Sequence, residues 1–337
     1  MNPSSDIVIL KEKLAALFNS LEFLMEAIPG GASSRKYFKI SFQGISSFSD
    51  PTILLMQIPT QEIAVLNDYM HINCYLERRG IPTPLLYKTN RKEGWIFLEY
   101  QRQPTLETYL RAHPGEIEKV LPRLMNFLFD LQQKCLPEER CPAFRRRFDY
   151  EKYMYEFDFH LREQLLKFYF RGECDARMMQ KFAEEISSTL DISLPVFVHR
   201  DFQSSNIFFD ESDAENPFKL IDFQDARHGT PVYDLVSCLW DSYIPVTDDL
   251  KDELLREYFS RLPGLRVKWN WKEYEKLVDF TVIQRKLHDA GAFAYNYRRF
   301  NSGKYVRYIN DAIGMALEPM RKYQQFSEIR EFFEELL

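Results

Sequence analysis

Glycine is scarce in this sequence, at 12 of 337 residues, so the chain is short of flexible linkers. The five cysteines, Cys74, Cys135, Cys141, Cys174 and Cys238, are odd in number and scattered. No C-x-x-C pair occurs, which argues against both a disulfide framework and a zinc site and fits reduced thiols in a cytoplasm. His71, His113, His160, His228 and His288 show no metal-ligand spacing. No stretch approaches the roughly 18 apolar residues that would span a bilayer. The opening MNPSSDIVILKEKL lacks a basic segment followed by an apolar run, so it does not read as a signal peptide. A net charge of −6 gives no electrostatic reason for a nucleic-acid partner. Together these point to a globular cytoplasmic protein with neither a membrane nor a nucleic-acid partner.

What the sequence does have is apolar and aromatic mass. Apolar residues make up 45%, enough for a sizeable core, and 28 Phe and 19 Tyr dominate the aromatics. The length allows two ordinary domains or one two-lobed unit around a cleft. Ile7, Leu10, Leu14, Leu17, Leu21, Leu24 and Ile28 recur at spacings of three and four, which predicts one helix ended by Pro29-Gly30-Gly31. From Tyr37 to Ile58 the pattern turns strand-like, residues 61–79 read as a helix, and two further strands lie around Leu85–Tyr87 and Trp95–Leu98. After Gln101 long helical patterns dominate, at 115–134, 148–188, 250–260 and 272–323, interrupted by a β-like insert at 194–223. The expected organisation is a small β-rich lobe over residues 1–100 and a mostly helical one over 101–337.

Chemistry concentrates in Phe197-Val-His199-Arg200-Asp201-Phe-Gln-Ser-Ser-Asn206 and in Leu220-Ile-Asp222-Phe-Gln-Asp225. In both, apolar residues bracket a polar cluster, as when short strands deliver side chains to a cleft. Phosphoryl transfer needs a carboxylate to take the acceptor's proton and oxygen ligands to hold Mg²⁺ on the phosphates. An Asp five residues before an Asn, with another Asp sixteen residues further on, supplies that set. Singly, each residue also reads as a turn or loop-cap residue. Jointly, the pattern is much rarer.

The run HRDFQSSN…LIDFQDA resembles the catalytic and metal-binding loops of aminoglycoside phosphotransferases and choline kinases, which share the protein-kinase-like α+β fold. The resemblance implies Asp201 as base, Asn206 and Asp222 as Mg²⁺ ligands (loops 197–210 and 220–226), and ATP as donor. His199 then fixes the loop, and Arg200 either supports it or touches phosphate. Asp222–Ala226, Gly229–Leu235, Asp241-Ser-Tyr243, Gln284-Arg-Lys-Leu287 and Tyr297-Arg298 are similar, more narrowly, to bacterial kinases that phosphorylate the anomeric hydroxyl of N-acetylmuramate and N-acetylglucosamine. On that likeness Arg200, Asp225, Asp241, Tyr243, Gln284 and Arg285 are candidates for the acceptor pocket. The likeness runs from about residue 20 to about 320.

The segment at about 29–39 resembles that group's phosphate loop. Gly30 and Gly31 permit close backbone approach, Ser33 and Ser34 add hydroxyl donors, and Arg35 adds charge. Pro-Gly-Gly is also a plain helix stop. Many kinases carry a Lys on the third strand of the small lobe, and Met56 stands there instead. Arg35, Lys36 and Lys39 are candidates for the replacement cation, and Glu62 on the following helix is left without a Lys partner. Glu99 and Tyr100 fall at the lobe hinge whose backbone normally holds adenine. Arg145-Arg146-Arg147 reads either as a phosphate contact or as a solvated face. The leading reading is an ATP-dependent sugar kinase. The alternatives are an aminoglycoside or choline phosphotransferase, and a catalytically inactive kinase-fold binding module.

Overall fold

The computed structural model describes residues 3–19, 22–29, 34–44 and 48–337. Two compact units emerge, one from Met1–Cys74 with Thr83–Gln103, the other from Tyr75–Pro82 with Pro104–Leu337.

In the first unit, helix α1 (Pro3–Phe18) accompanies strands β1 (Phe23–Ile28), β2 (Lys36–Phe42) and β3 (Thr52–Gln57). Helix α2 (Ile63–Arg78) follows, then β4 (Leu86–Asn90) and β5 (Trp95–Glu99). The sheet is antiparallel in the order β1-β2-β3-β5-β4. Alternation along the strands puts Phe38, Ile40, Ile53, Leu55, Trp95 and Phe97 into one core with Leu10 and Leu14 of α1.

The helix expected to run to Ile28 is shorter than the sequence suggests. Asn19 adopts a left-handed φ of 54°, and Phe23–Ile28 pairs with β2 from Phe23↔Phe42 to Ile28↔Tyr37. Both faces of FLMEAI carry apolar residues, which hides the period of two. Phe23 is buried, whereas Leu24, counted in the helical stripe, is 52% exposed. Gly30, Gly31 and Ser33 lie outside the described residues. The segment they belong to joins two strands rather than following a helix.

The second unit is mostly helical: α3 (Leu106–Ala112), α4 (Ile117–Lys134), α5 (Pro142–Arg145), α6 (Tyr150–Glu156) and α7 (Ala176–Leu190) precede its small strands. Helix α6 runs on directly as a π-helix over Phe157–Phe170, unusually long for a form that mostly occurs as single turns. Strand β6 (Val196–Val198) pairs with β9 (Arg227–Gly229), and β7 (Ile207–Phe209) with β8 (Phe218–Leu220). Then come α8 (Val232–Leu239), α9 (Asp248–Arg261), α10 (Trp271–Phe300), α11 (Ile309–Met320) and α12 (Ser327–Glu334). Helix α10 starts at a capping box between Asn270 and Glu273 and ends at a left-handed Asn301. Nearly every residue of α10 from Leu277 to Ala294 is buried, as expected of a central helix packed on all sides. Its polar members therefore need partners inside the protein. Among the described residues no helix is long and apolar enough to cross a membrane.

Candidate active site

Three-residue strands present the two polar loops. Strand β6 ends at Val198 and hands the chain to His199–Asn206, while β8 ends at Leu220 and hands it to Ile221–Ala226. The β7–β8 register Ile207↔Leu220, continued by Ile221 N–H donating to the Asn206 carbonyl at 3.0 Å, sets Asn206 beside Asp222. His199 Nε2 lies 3.0 Å from the Ile221 carbonyl and ties the two loops together. Burial lowers the pKa of this fully enclosed imidazole, so it is neutral and donates through Nε2. Structural support is the role expected for it from sequence.

Arg200 and Asp222 both hold positive φ, at 82° and 65°. Left-handed backbone is unfavourable for such side chains and persists where the surroundings impose it. For Arg200 the constraint is visible: the buried Asp234 carboxylate accepts the backbone N–H of His199 at 2.6 Å and of Arg200 at 2.9 Å. Burial pushes the Asp234 carboxyl up to about 7, while those two N–H donors pull the other way.

Asp201 follows this strained residue, with its side chain 27% exposed. Arg285 reaches it from α10 at 3.1 Å. Burial alone would raise the Asp201 carboxyl, but the Arg285 and Arg200 guanidiniums outweigh it and hold it below the usual carboxylate range. Asn206 Nδ2 donates to the Asp201 carbonyl at 3.0 Å, leaving Oδ1 as its free-electron-pair atom. Asp222 Oδ1 accepts from Gln224 Nε2 at 3.0 Å. One amide oxygen before β7 and one carboxylate after β8 suit Mg²⁺, which takes few protein ligands and completes its shell with phosphate and water oxygens. Among the described residues no group of three or more His, Cys, Asp or Glu forms a metal-binding cluster.

The other acceptor candidates divide. Gln284 and Arg285 are almost wholly buried and belong to the charged network around Asp201. Arg285 bridges Asp201 to Asp289 (3.3 Å) and lies 3.4 Å from the Tyr233 hydroxyl. Gln284 Nε2 donates to Glu156 Oε2 at 2.8 Å. Glu156 also takes Lys152 at 3.1 Å and Arg200 at 3.5 Å. Asp225 is half exposed and 4.0 Å from Arg200. Asp241 and Tyr243 sit behind the loop: Asp241 accepts the backbone N–H groups of Ser204 (2.6 Å) and Tyr243 (2.8 Å), and the Tyr243 ring packs against Phe293, Tyr305 and Tyr308. Burial lifts the Asp241 carboxyl to about 6.

Within the first unit, Ser34 Oγ donates to Glu62 at 2.7 Å. Glu62, left without a partner in the sequence reading, thus has one, and it lies in a 3₁₀ turn ahead of α2 rather than on the helix. Met56 is buried in β3 between Tyr37 and Ile96. Glu99 accepts the Leu85 N–H at 3.1 Å, and Lys39 Nζ lies 5.4 Å from the Tyr100 ring centre. Lys39 also pairs with Glu26 at 3.7 Å, while Lys36 is exposed. Arg146 is no solvated bystander: it donates to the Gln224 carbonyl at 3.0 Å and so holds the second polar loop. Arg147 pairs with Asp191. Two cavities of about 220 and 230 Å³ lie elsewhere in the second unit, and neither is lined by Asp201, Asn206 or Asp222.

Sequence reasoning missed Glu156, His160, His288 and Asp289. Their signal is faint: Glu156/His160 and Gln284/His288 are polar pairs four apart on helical stretches that carry other polar residues too.

A carboxylate loop tied to a second acidic loop is an arrangement that phosphoryl transfer can use. The sequence profile of the phosphotransferase enzyme family matches residues 25–275, well over half of the chain, and the chain belongs to that family. It is a phosphotransferase with a protein-kinase-like α+β fold. Among individual proteins, it is 25% identical over 341 residues to the N-acetylmuramate/N-acetylglucosamine kinase of Neisseria meningitidis, covering 97% of this chain and 95% of that one. It is 26% identical over 305 residues to the enzyme of the same name from Pseudomonas aeruginosa, covering 86% and 84%. Of solved structures, the GDP and kanamycin complex of APH(2")-IIia shares the fold with a TM-score of 0.62 at 14% identity, covering 94% of this chain and 99% of the other. The resemblance drawn from the two loop motifs therefore holds.

Proposed function

We propose that this phosphotransferase moves the γ-phosphate of ATP to the anomeric hydroxyl of an N-acetylated amino sugar. The observation that carries the reading is the Asp201 carboxylate: ionised by its guanidinium neighbours, partly exposed, and on a loop whose Asn206 is tied through its backbone to the residue before Asp222. An ionised carboxylate can take the acceptor's proton as the oxygen attacks phosphorus. Asn206 and Asp222 would hold Mg²⁺, which when bound would supply positive charge to the phosphates. His199 and Asp234 keep both loops in register, so the base does not have to be ordered at the moment of reaction. The first unit takes the nucleotide, with Ser34, Arg35, Met56, Glu99 and Tyr100 as the described part of its lining. Nucleotide use is in keeping with the GDP-bound fold relative.

The sugar as acceptor rests on the names of the two kinases that match nearly the whole chain. The site's charge agrees with it. Among the described residues Arg200, Arg285, Lys152 and Lys286 match Glu156, Asp201, Asp289 and Asp225 one for one, and the further carboxylate, Asp222, is the metal-ligand candidate, so the network gives little surplus of negative charge for an aminoglycoside or choline cation.

The test is Mg²⁺-dependent ATP consumption with N-acetylglucosamine, N-acetylmuramate, glucose, choline and kanamycin, beside the 1-O-methyl glycoside of any active sugar. Turnover of the free amino sugar and none of its methyl glycoside is the expected result. Turnover of kanamycin or choline alone refutes the acceptor. ATP binding without turnover of anything on the panel favours the inactive binding module. In the active case Asp201→Asn loses about 10²–10⁴-fold in kcat and keeps its ATP affinity.

A further inference from the structure

Two stretches of helix meet beside Asp201 in matched steps. Glu156 Oε2 accepts from Gln284 Nε2, and four residues further along both stretches the rings of His160 and His288 stand 4.2 Å apart. Beyond them, Gly291 receives the backbone of His160: a Cβ at 291 would lie 2.1 Å from the His160 carbonyl oxygen. The π-helix and this glycine thus press the His160 ring onto His288, on the same side of α10 as Gln284.

The polar atoms of this seam are poorly served by the protein. His288 is 7% exposed, and among the described residues neither Nδ1 nor Nε2 has a partner within hydrogen-bond distance; Asp289 lies 3.6 Å from Nδ1 and the His160 ring packs against it. Gln284 is 1% exposed, and its Oε1 is also unpartnered, as are His160 Nδ1 and the Nε–H groups of Arg200 and Arg285. Buried polar atoms nearly always find partners, so several orphans along the linked carboxylates Glu156, Asp201 and Asp289 point to a ligand that supplies them. The set is mixed in kind. Gln284 Oε1 only accepts, the two guanidinium Nε–H groups only donate, and a neutral imidazole does one of each. A cationic ligand would need acceptors and an anionic one donors, whereas a hydroxyl or an amide uses both.

We propose that His288 is a specificity-determining residue that hydrogen-bonds a ring hydroxyl or the acetamido group of a neutral polyhydroxylated acceptor, with Gln284 Oε1 and His160 as its co-ligands. The inference rests on the kinase reading of Asp201 and deepens it. It requires the acceptor to approach Asp201 along the seam between the π-helix and α10. Glu156 is a positioning residue here, since its carboxylate accepts from Gln284 Nε2 and leaves Oε1 for the acceptor. His160 acts similarly on His288 through the ring contact.

The test uses the full chain, with N-acetylglucosamine as probe. His288→Phe keeps a planar ring and removes both nitrogens. The expected result is a rise of 10-fold or more in the sugar's KM, with the dissociation constant for Mg·ATP and the melting temperature close to wild type. With deoxy analogues of the sugar, one analogue binds wild type and His288→Phe equally, and that analogue marks the hydroxyl His288 reads. An unchanged sugar KM in a folded variant that binds ATP overturns the inference. Should the variant not fold, wild-type protein labelled with ¹⁵N in its histidines decides: saturating sugar must move the His288 ring nitrogens, and no movement overturns the proposal. A wild-type protein that binds ATP and turns over only kanamycin or choline overturns it while leaving the kinase reading standing. Absence of ATP binding removes both.

Discussion

Arg285→Gln offers the sharpest examination of how the site is held. The guanidinium is 2% exposed and lies 3.1 Å from Asp201 and 3.3 Å from Asp289. At an effective dielectric constant of about 20, a pair at that separation attracts by roughly 5 kcal/mol before desolvation is subtracted. Desolvation takes back a large part, yet removing one partner strands the other charges, and such truncations destabilise by about 3–5 kcal/mol. For a unit of this size that is a fall in melting temperature of roughly 6–20 °C. Asp289 loses one cation and keeps Lys286 at 2.8 Å, so the residual damage centres on Asp201. Burial, which alone would raise the Asp201 carboxyl, is then opposed chiefly by Arg200. Its proton affinity rises, so the acid limb of the kcat–pH profile moves to higher pH in the variant. Circular-dichroism melts give the first quantity, and turnover across pH 4–9 gives the second. A melting point within 2 °C of wild type together with an unmoved acid limb would refute the assignment of Arg285 as the group that keeps the base ionised. Adding Asp289→Asn closes a double-mutant cycle, and a coupling near zero would count against the shared guanidinium.

Other outcomes follow from the same geometry. Asp222→Asn and Asn206→Ala raise the Mg²⁺ concentration needed for half-maximal turnover by at least the ~10–100-fold typical of damage to a metal's surroundings, read in a Mg²⁺ titration at saturating ATP; an unchanged titration removes them as ligands. Burial, followed by the nearby His288, lowers the His160 pKa to about 2, whereas the unfolded chain protonates near the model-peptide value of about 6.5. The unfolded state therefore binds the extra proton first as pH falls, and stability present above about 6.5 is lost toward 2, by up to about 1.4 kcal/mol per pH unit. Denaturant unfolding at pH 7, 6 and 5 checks this: His160→Phe must show a shallower fall than wild type, and parallel curves contradict it. Gly291→Ala, which would gain about 1 kcal/mol in an exposed helix, instead destabilises by about 1–3 kcal/mol through overpacking on the His160 backbone; a higher melting temperature would show that the close approach is wrong.

Much of this was legible in the sequence, for particular reasons. Asp201, Asn206 and Asp222 sit on loops flanked by short apolar strands, and their spacing is local, so a motif read along the chain captures them. The helical texture after residue 101 and the strands at Thr52–Gln57 and Trp95–Glu99 follow from runs long enough to carry their own period. The first helix misled because FLMEAI is apolar on both faces. A three-four spacing can be counted through it, and the choice between helix and edge strand belongs to β2, which pairs with it.

Composition, periodicity and two loop motifs by themselves determined the α+β class, the absence of a membrane-length apolar run and the catalytic candidates, because each depends only on neighbours in the chain. The tertiary structure alone decided which charges meet. Asp201 with Arg285 is 84 residues apart, Glu156 with Gln284 is 128 apart, and the left-handed Arg200 of the loop after β6 is held by Asp234 of α8. A buried charge takes whichever partner the fold brings within about 4 Å, since leaving it alone costs too much. The packing of the π-helix and the end of α6 on α10 is what brings Glu156 to Gln284 and His160 to His288.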